Sequence, residues 1–260
     1  MWRNHHSTPR LPPREPCWPM MRINRFLASC GLGSRRAVET LIRDRRIAVN
    51  GEIVADLATR IDEAADRVTL DGQPVGRKSE SIYVLLNKPK GYITTASDEK
   101  GRRTVLELVA LPQRIFPVGR LDYNTTGLLL LTNDGELAHR LTHPRFKVPK
   151  LYHAVLESAF NPDHFAPLTQ GVTLEDGITQ PCKARYYGDS RSEVEIELRE
   201  GRQQQVRRMF AALGYRVRHL NRVRFGPLRL ERLPRGEWRY LVDEEILALR
   251  TAVGLAQAGE

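Results

Sequence analysis

The sequence is short of cysteine, of aromatic residues and of long apolar runs, and each shortage removes a class of protein. Its three cysteines, Cys17, Cys30 and Cys182, are odd in number and far apart, which excludes a paired disulfide framework and any C-x-x-C metal or redox motif. A reducing, cytoplasmic setting is expected. No stretch approaches the roughly 18 consecutive apolar residues of a membrane span, so a soluble chain with no membrane partner is expected. Pro9, Pro12, Pro13, Pro16 and Pro19 interrupt the start, leaving no room for the apolar core of a secretory signal. A disordered tail is expected over 1–20, with Met20 or Met21 as an alternative start.

Positive charge, by contrast, is abundant. The chain of 260 residues carries 41 Lys and Arg against 31 Asp and Glu, a net +10. A polyanionic partner follows from that surplus. With 41% hydrophobic residues the chain can bury one good core or two modest ones.

Two units are expected. In the first, over 21–75, Ile23, Phe26, Leu27 and Cys30 recur at helical spacing up to Gly31. Ser34 can cap a second helix with Val38, Leu41 and Ile42 on its apolar face. Asn50-Gly51 and Asp71-Gly72 are turn pairs that tolerate positive φ, and they predict short hairpins. Residues 21–46 hold seven arginines, Arg22, Arg25, Arg35, Arg36, Arg43, Arg45 and Arg46, against Glu39 and Asp44, so the helices are the side expected to face phosphate. After a polar linker at 76–81, the second unit spans 82–250, with a flexible C-terminus at 251–260.

The second unit mixes strands and helices, which predicts an α+β fold. YVLLNKP reads as a strand, Thr104–Val109 as a short helix and Gly127–Thr132 as a Leu-rich strand. Val194, Ile196 and Leu198 alternate as in a half-buried strand, and Val206, Met209, Phe210 and Leu213 mark a helix face ending at Gly214. Within PVGRLDYNTTGLLLLTNDGELAHRLTHP, residues 117–144, Asp122 sits in a turn leading into a buried strand. A carboxylate held on such a loop can act in a cleft as nucleophile or base, although the commoner role of a loop aspartate is to stabilise its own turn.

Residues 199–239 contain twelve arginines against Glu200, Glu231 and Glu237, a net of 12 − 3 = +9, interleaved with Phe210, Tyr215, Phe225 and Trp238. That pattern suits RNA contact and is also compatible with a solvated face. Lys88 and Lys90 flank Pro89 and are candidates for phosphate contact or for simple surface charge. His139 and His143 lie four apart near Asp134 and Glu136, but the pattern is not H-E-x-x-H and lacks further ligands, so no metal site is expected.

The segment RINRFLASCGLGSRRAVETLIRDRRIAVNGEIV resembles the small RNA-binding domain named after ribosomal protein S-four. G-R-L-D followed by x-x-[TS]-x-G-L-L-L-L-T-[ND]-D-G is similar to the signature of bacterial ribosomal RNA pseudouridine synthases of the RsuA and RluB type. The similarity continues through KLYHA at 150–154, EGRQQQVRRMFAALGY at 200–215 and LNRVRFGPLRLERLPRGEW at 220–238.

This resemblance implies a front S-four-like domain of two helices and short strands, then a catalytic domain with a mixed, mainly antiparallel sheet flanked by helices around a central cleft. It implies isomerisation of uridine to pseudouridine in ribosomal RNA, with no cofactor. Position by position, Asp122 matches the essential aspartate, Tyr152 the tyrosine that stacks on the target base, Arg207 the basic residue that pairs with the aspartate, and Leu220 an apolar residue of the base pocket. Lys88, Arg120, Arg202 and Arg208 join the front arginines as expected RNA contacts. Gln203-Gln204-Gln205 departs from relatives and puts local RNA contacts in doubt.

LNKPKGYITTASDEKGRRTV and the basic LPRGEW tail look more like the large-subunit branch. A small-subunit enzyme and a non-catalytic assembly factor are the alternatives. A monomer acting on ribosomal RNA or a precursor ribosomal particle is expected.

Overall fold

The computed structural model describes residues 20–76, 80–96 and 98–255. They fall into two compact units, one before residue 80 and one from Glu80 onward. Apart from Met20, the expected disordered tail lies outside the described residues, as do 77–79 of the expected linker.

In the front unit, β1 (Met21–Arg22) runs directly into α1 (Ile23–Ser29). Helix α2 (Arg35–Arg43) begins where Ser34 Oγ accepts the Ala37 N–H at 3.0 Å, satisfying one of the otherwise orphaned donors of a helix start. Ile23, Phe26, Leu27, Val38 and Ile42 are buried with Ile47, Ile61 and Val68, so the two apolar stripes close one small core. Strands β2 (Ile47–Val49), β3 (Glu52–Ile53), β5 (Val68–Leu70) and β6 (Gln73–Pro74) form an antiparallel sheet in the order β3-β2-β5-β6, while β4 (Arg60–Ile61) pairs with β1. The hairpin turns are those expected. Asn50 and Gly51 stand at φ 54° and 89°, and Asp71 and Gly72 at 49° and 80°.

The second unit is built on a nine-stranded sheet. In chain order its strands are β7 (Tyr83–Lys88), β8 (Phe116–Pro117), β9 (Thr126–Thr132), β10 (Lys150–Leu156), β13 (Lys183–Tyr187), β14 (Ser190–Leu198), β15 (Val217–Phe225), β16 (Leu228–Arg229) and β17 (Trp238–Tyr240). The spatial order is β13-β14-β10-β15-β9-β7-β17, with β16 beside β15 and β8 beside β9. The β15–β9 pair is parallel and the other pairs are antiparallel, which makes the sheet mixed and mainly antiparallel. A separate hairpin joins β11 (Thr173–Leu174) to β12 (Gly177–Ile178).

Strand alternation divides the core. Tyr83, Leu85, Leu128 and Leu130 point to one face, under α3 (Gly135–Thr142) and α6 (Asp243–Ala252). Val84, Leu86, Leu129 and Leu131 point to the other, where they meet Leu121. Farther along the sheet, Ala154, Val194, Ile196 and Leu220 bury against α4 (Phe165–Gln170) and α5 (Gln205–Ala212) through Leu168, Met209 and Phe210.

At the parallel seam, Gly127 pairs with Arg222 at φ 106°, and a Cβ there would lie 2.3 Å from Arg222 O. Only glycine admits so close an approach. The expected flexible C-terminus needs correction: α6 runs to Ala252, Val253 is buried, and Arg140 Nη1 donates to Val253 O at 3.1 Å and Gly254 O at 2.9 Å. Residues 256–260 lie outside the described residues. No described helix is long and apolar enough to cross a membrane.

Candidate active site

Asp122 is half-buried on the loop that enters β9, the strand next to the parallel seam. Its own backbone carbonyl accepts the Thr125 N–H at 3.0 Å, closing a tight turn. The segment after β7 straps this turn down. Thr94 Oγ1 donates to Leu121 O at 2.7 Å and accepts the Leu121 N–H at 3.2 Å, and Gly91 N–H donates to Tyr123 O at 3.1 Å.

Lys88 completes the strap, and here the expectation of phosphate contact is overturned. Its side chain is fully buried, and Nζ donates to Asp122 O at 3.0 Å, Thr125 O at 2.9 Å and Pro89 O at 3.2 Å, with Tyr123 O at 3.5 Å. An ammonium has three donors and no acceptor, so a ring of carbonyls is its natural partner inside a protein. Burial pushes its pKa down to about 8, opposed by the negative charge of Asp122. Lys88 is an internal tie of the acid-bearing loop.

Arg207 projects from α5 toward the same loop. Its Nη1 donates to Val217 O at 2.6 Å and its Nη2 reaches Asn124 O at 3.4 Å, two residues beyond the acid. Burial lowers its pKa while Asp122 raises it, so the two groups feel each other's charge; a guanidinium remains cationic throughout. The expected direct ion pair is not among the contacts of the described residues, because backbone carbonyls hold the guanidinium instead. Asp122 therefore acts electrostatically on two cations, each held by backbone carbonyls.

Tyr152 lies on β10, opposite Arg222 of β15 and Ile196 of β14. It packs against both the cluster containing Leu121 and the cluster containing Leu220, and so spans the boundary between the acid-bearing loop and the α5 side of the sheet. Leu220 is buried opposite Ala154, and its carbonyl accepts from Thr126 Oγ1 at 3.3 Å. Thr126 Oγ1 also donates to Asn221 Oδ1 at 3.0 Å, which stitches the end of the loop to β15. Arg120 is exposed beside the loop. Half-buried acid, fixed cations and an aromatic ring at a cluster boundary can receive a flat, polar group removed from water.

The other expected RNA contacts separate into two sets. Arg202 donates to Ile178 O at 2.7 Å and Gly177 O at 2.8 Å, and pairs with Asp176 and Glu200. Arg208 grips both Asp176 oxygens, at 2.9 and 3.0 Å. Both therefore brace the β11–β12 hairpin and have acidic partners that the arginine-rich sequence does not announce. The glutamine run has a local purpose too: Gln204 takes the left-handed φ of 47° ahead of α5, and buried Gln205 accepts the Arg202 N–H at 3.0 Å.

In the front unit Arg22, Arg35, Arg36 and Arg45 are exposed and have no ion pair among the described residues, whereas Arg43 lies 3.7 Å from Glu39 and Arg46 is bound to Asp71 by two donors. Arg25 is half-buried and engaged. His143 Nδ1 accepts the Arg145 N–H at 3.2 Å as a local cap. Nothing in the sequence singles out Thr94, Thr126 or Asn221; threonine and asparagine are ordinary in loops, and only the fold shows their partners.

A family profile described as RNA pseudouridylate synthase matches residues 82–212, and one described as S4 domain matches residues 21–68. The chain is similar to an RNA pseudouridine synthase of Aquifex aeolicus, 44% identical over 90% of this chain and 96% of that one. It is also similar to ribosomal large subunit pseudouridine synthase B of Bacillus subtilis, 40% identical over 89% of this chain and 96% of the other. A crystal structure of a pseudouridylate synthase superposes with a TM-score of 0.65 at 33% identity, covering 88% of this chain and 99% of that one.

Proposed function

The chain belongs to the RNA pseudouridine synthase family, and from that premise we propose that it isomerises one uridine of large-subunit ribosomal RNA to pseudouridine, with Asp122 as the catalytic carboxylate. The observation that carries this reading is the half-buried Asp122 on a loop tied by Lys88 and flanked by Arg207. The large-subunit assignment rests on the similarity to the Bacillus subtilis enzyme.

The reaction moves no atom out of the nucleoside except one proton. The C1′–N1 bond breaks, the base turns, C5 bonds to C1′, and the hydrogen on C5 leaves as a proton while N1 gains one. In this reading the uridine is swung out of its stack and its flat face lies on Tyr152, whose ring supplies stacking at low entropic cost. Asp122 acts on the extruded nucleoside, by addition to C6 or by proton abstraction with attack at the ribose. Arg207 places a positive charge near the carboxylate, Leu220 contributes apolar wall, and Lys88 fixes the turn. The residues call for no cofactor in either route. Exposed Arg22, Arg35, Arg36 and Arg45 of the front unit bind backbone phosphate, and the enzyme works as a cytoplasmic monomer on ribosomal RNA or a precursor particle.

Mapping pseudouridines in ribosomal RNA from cells with and without the gene tests the assignment. One large-subunit site is expected to vanish on deletion. Loss of a small-subunit site instead would redirect the substrate, and no lost site would contradict the activity.

A further inference from the structure

We propose that Lys90, Arg218, His219 and Arg235 form a phosphate clamp beside the candidate active site, built to take a backbone phosphodiester of the RNA strand that carries the target uridine. This rests on the reading above that the substrate is RNA. Three separate chain segments supply the four groups: Lys90 follows β7, Arg218 and His219 lie on β15, and Arg235 precedes β17. Lys90 Nζ and His219 Nδ1 are 3.0 Å apart, which joins two of these segments directly. An ammonium can only donate, so Nδ1 must accept and the neutral ring carries its proton on Nε2, free to donate to an anion.

The charge around the ring is one-sided. Partial desolvation, then the positive charges of Lys90, Arg218, Arg235 and Arg207, hold the His219 pKa below its ordinary value. All four clamp residues are exposed, and none has a carboxylate partner among the described residues. Other arginines of the same arginine-rich stretch do have one: Arg208 holds Asp176, Arg224 holds Glu197 and Arg239 holds Glu245. Like charges gathered at a surface repel, and an anion relieves that repulsion. The cluster contains no stacking ring beyond the imidazole, so it fits phosphate better than a base.

Its location fits the same task. Lys90 immediately precedes Gly91, whose N–H holds the Asp122 loop through Tyr123 O. His219 precedes Leu220, and Arg207 acts electrostatically on both His219 and Asp122. A phosphate held here would pin the strand next to the extruded nucleoside.

The test compares wild type with Lys90→Gln, Arg235→Gln and the double variant, all at exposed positions. The probe is an unmodified large-subunit ribosomal RNA transcript carrying tritium at uridine C5. Binding is measured from 50 to 200 mM salt and turnover by tritium release. Each single change is expected to weaken binding about three- to tenfold and to reduce the slope of log affinity against log salt by roughly one; the double variant is expected to reduce it by about two. The turnover penalty falls on KM, and Lys90→Arg restores affinity and slope. Unchanged affinity and slope in the double variant would overturn the clamp, as would a loss that is independent of salt. The binding slopes judge the clamp whether or not tritium is released, while absence of tritium release by the wild type would count against the proposed reaction alone.

Discussion

On α2 of the front unit Arg35 and Arg36 stand exposed with no carboxylate partner among the described residues, whereas on α5 of the second unit Arg208 grips Asp176 with both ends of its guanidinium and Arg207 is held by backbone carbonyls. Of the twelve arginines in 199–239, Arg199, Arg202, Arg208, Arg216, Arg224 and Arg239 have acidic partners, and Arg207 and Arg222 donate to backbone carbonyls. Arg218, Arg229, Arg232 and Arg235 remain without an ion pair among the described residues. A charge surplus along the chain is thus a poor guide to an RNA surface until the partners contributed from elsewhere are known. Asp176 lies outside the arginine-rich stretch yet neutralises part of it. Exposed pairs of this kind contribute little stability, but they still remove a cation from the RNA-facing inventory.

If committed and free cations differ as described, replacing the most committed one should have the largest effect. Lys88→Met leaves several loop carbonyls without their donor, and a loss of about 2–4 kcal/mol in denaturant unfolding is expected together with at least a hundredfold loss of turnover. The pH dependence carries the same signature. The folded pKa of about 8 lies below the ordinary value of 10.5, so the cost of holding the buried ammonium is fully present below pH 8 and is relieved as pH rises toward 10.5. Lys150, also near 8, adds to that upward slope, which Lys88→Met should diminish without abolishing.

Arg207→Met comes next. It removes a cation beside Asp122 and is expected to lower kcat by about 10- to 100-fold while RNA affinity falls only a few-fold. Equal losses of the two would make Arg207 one more backbone contact. Arg208→Ala breaks the grip on Asp176 and is expected to cost about 1 kcal/mol with the salt slope of RNA binding unchanged; a reduced slope would return it to the RNA-facing set. The Arg35→Ala, Arg36→Ala double variant should do the reverse, moving stability by less than about 0.5 kcal/mol while lowering the slope by roughly two.

What the sequence made legible was local. The Ser34 cap, the Asn50-Gly51 and Asp71-Gly72 turns, the alternation of β14 and the apolar face of α5 all follow from neighbours within a few residues. The S-four-like and synthase motifs likewise pointed to the right family. Hidden features depended on partners far along the chain. Lys88 followed by Pro89 looks like a surface turn until the carbonyls of residues 122–125 close around it. Arg202 and Arg208 look free until the β11–β12 hairpin, too short to announce itself, brings Asp176 against them. Val253 alone carries no periodic pattern that would mark the segment past 250 as ordered, yet it is buried.

The most direct test of the central claim is a comparison of wild type with Asp122→Asn on one unmodified large-subunit ribosomal RNA transcript, with pseudouridine counted after digestion and RNA affinity measured in parallel. The account predicts one pseudouridine per transcript from the wild type, a loss on the order of 10⁴-fold or more in rate for the variant, and affinity within a few-fold. Pseudouridine formed by Asp122→Asn at near wild-type rate would contradict it.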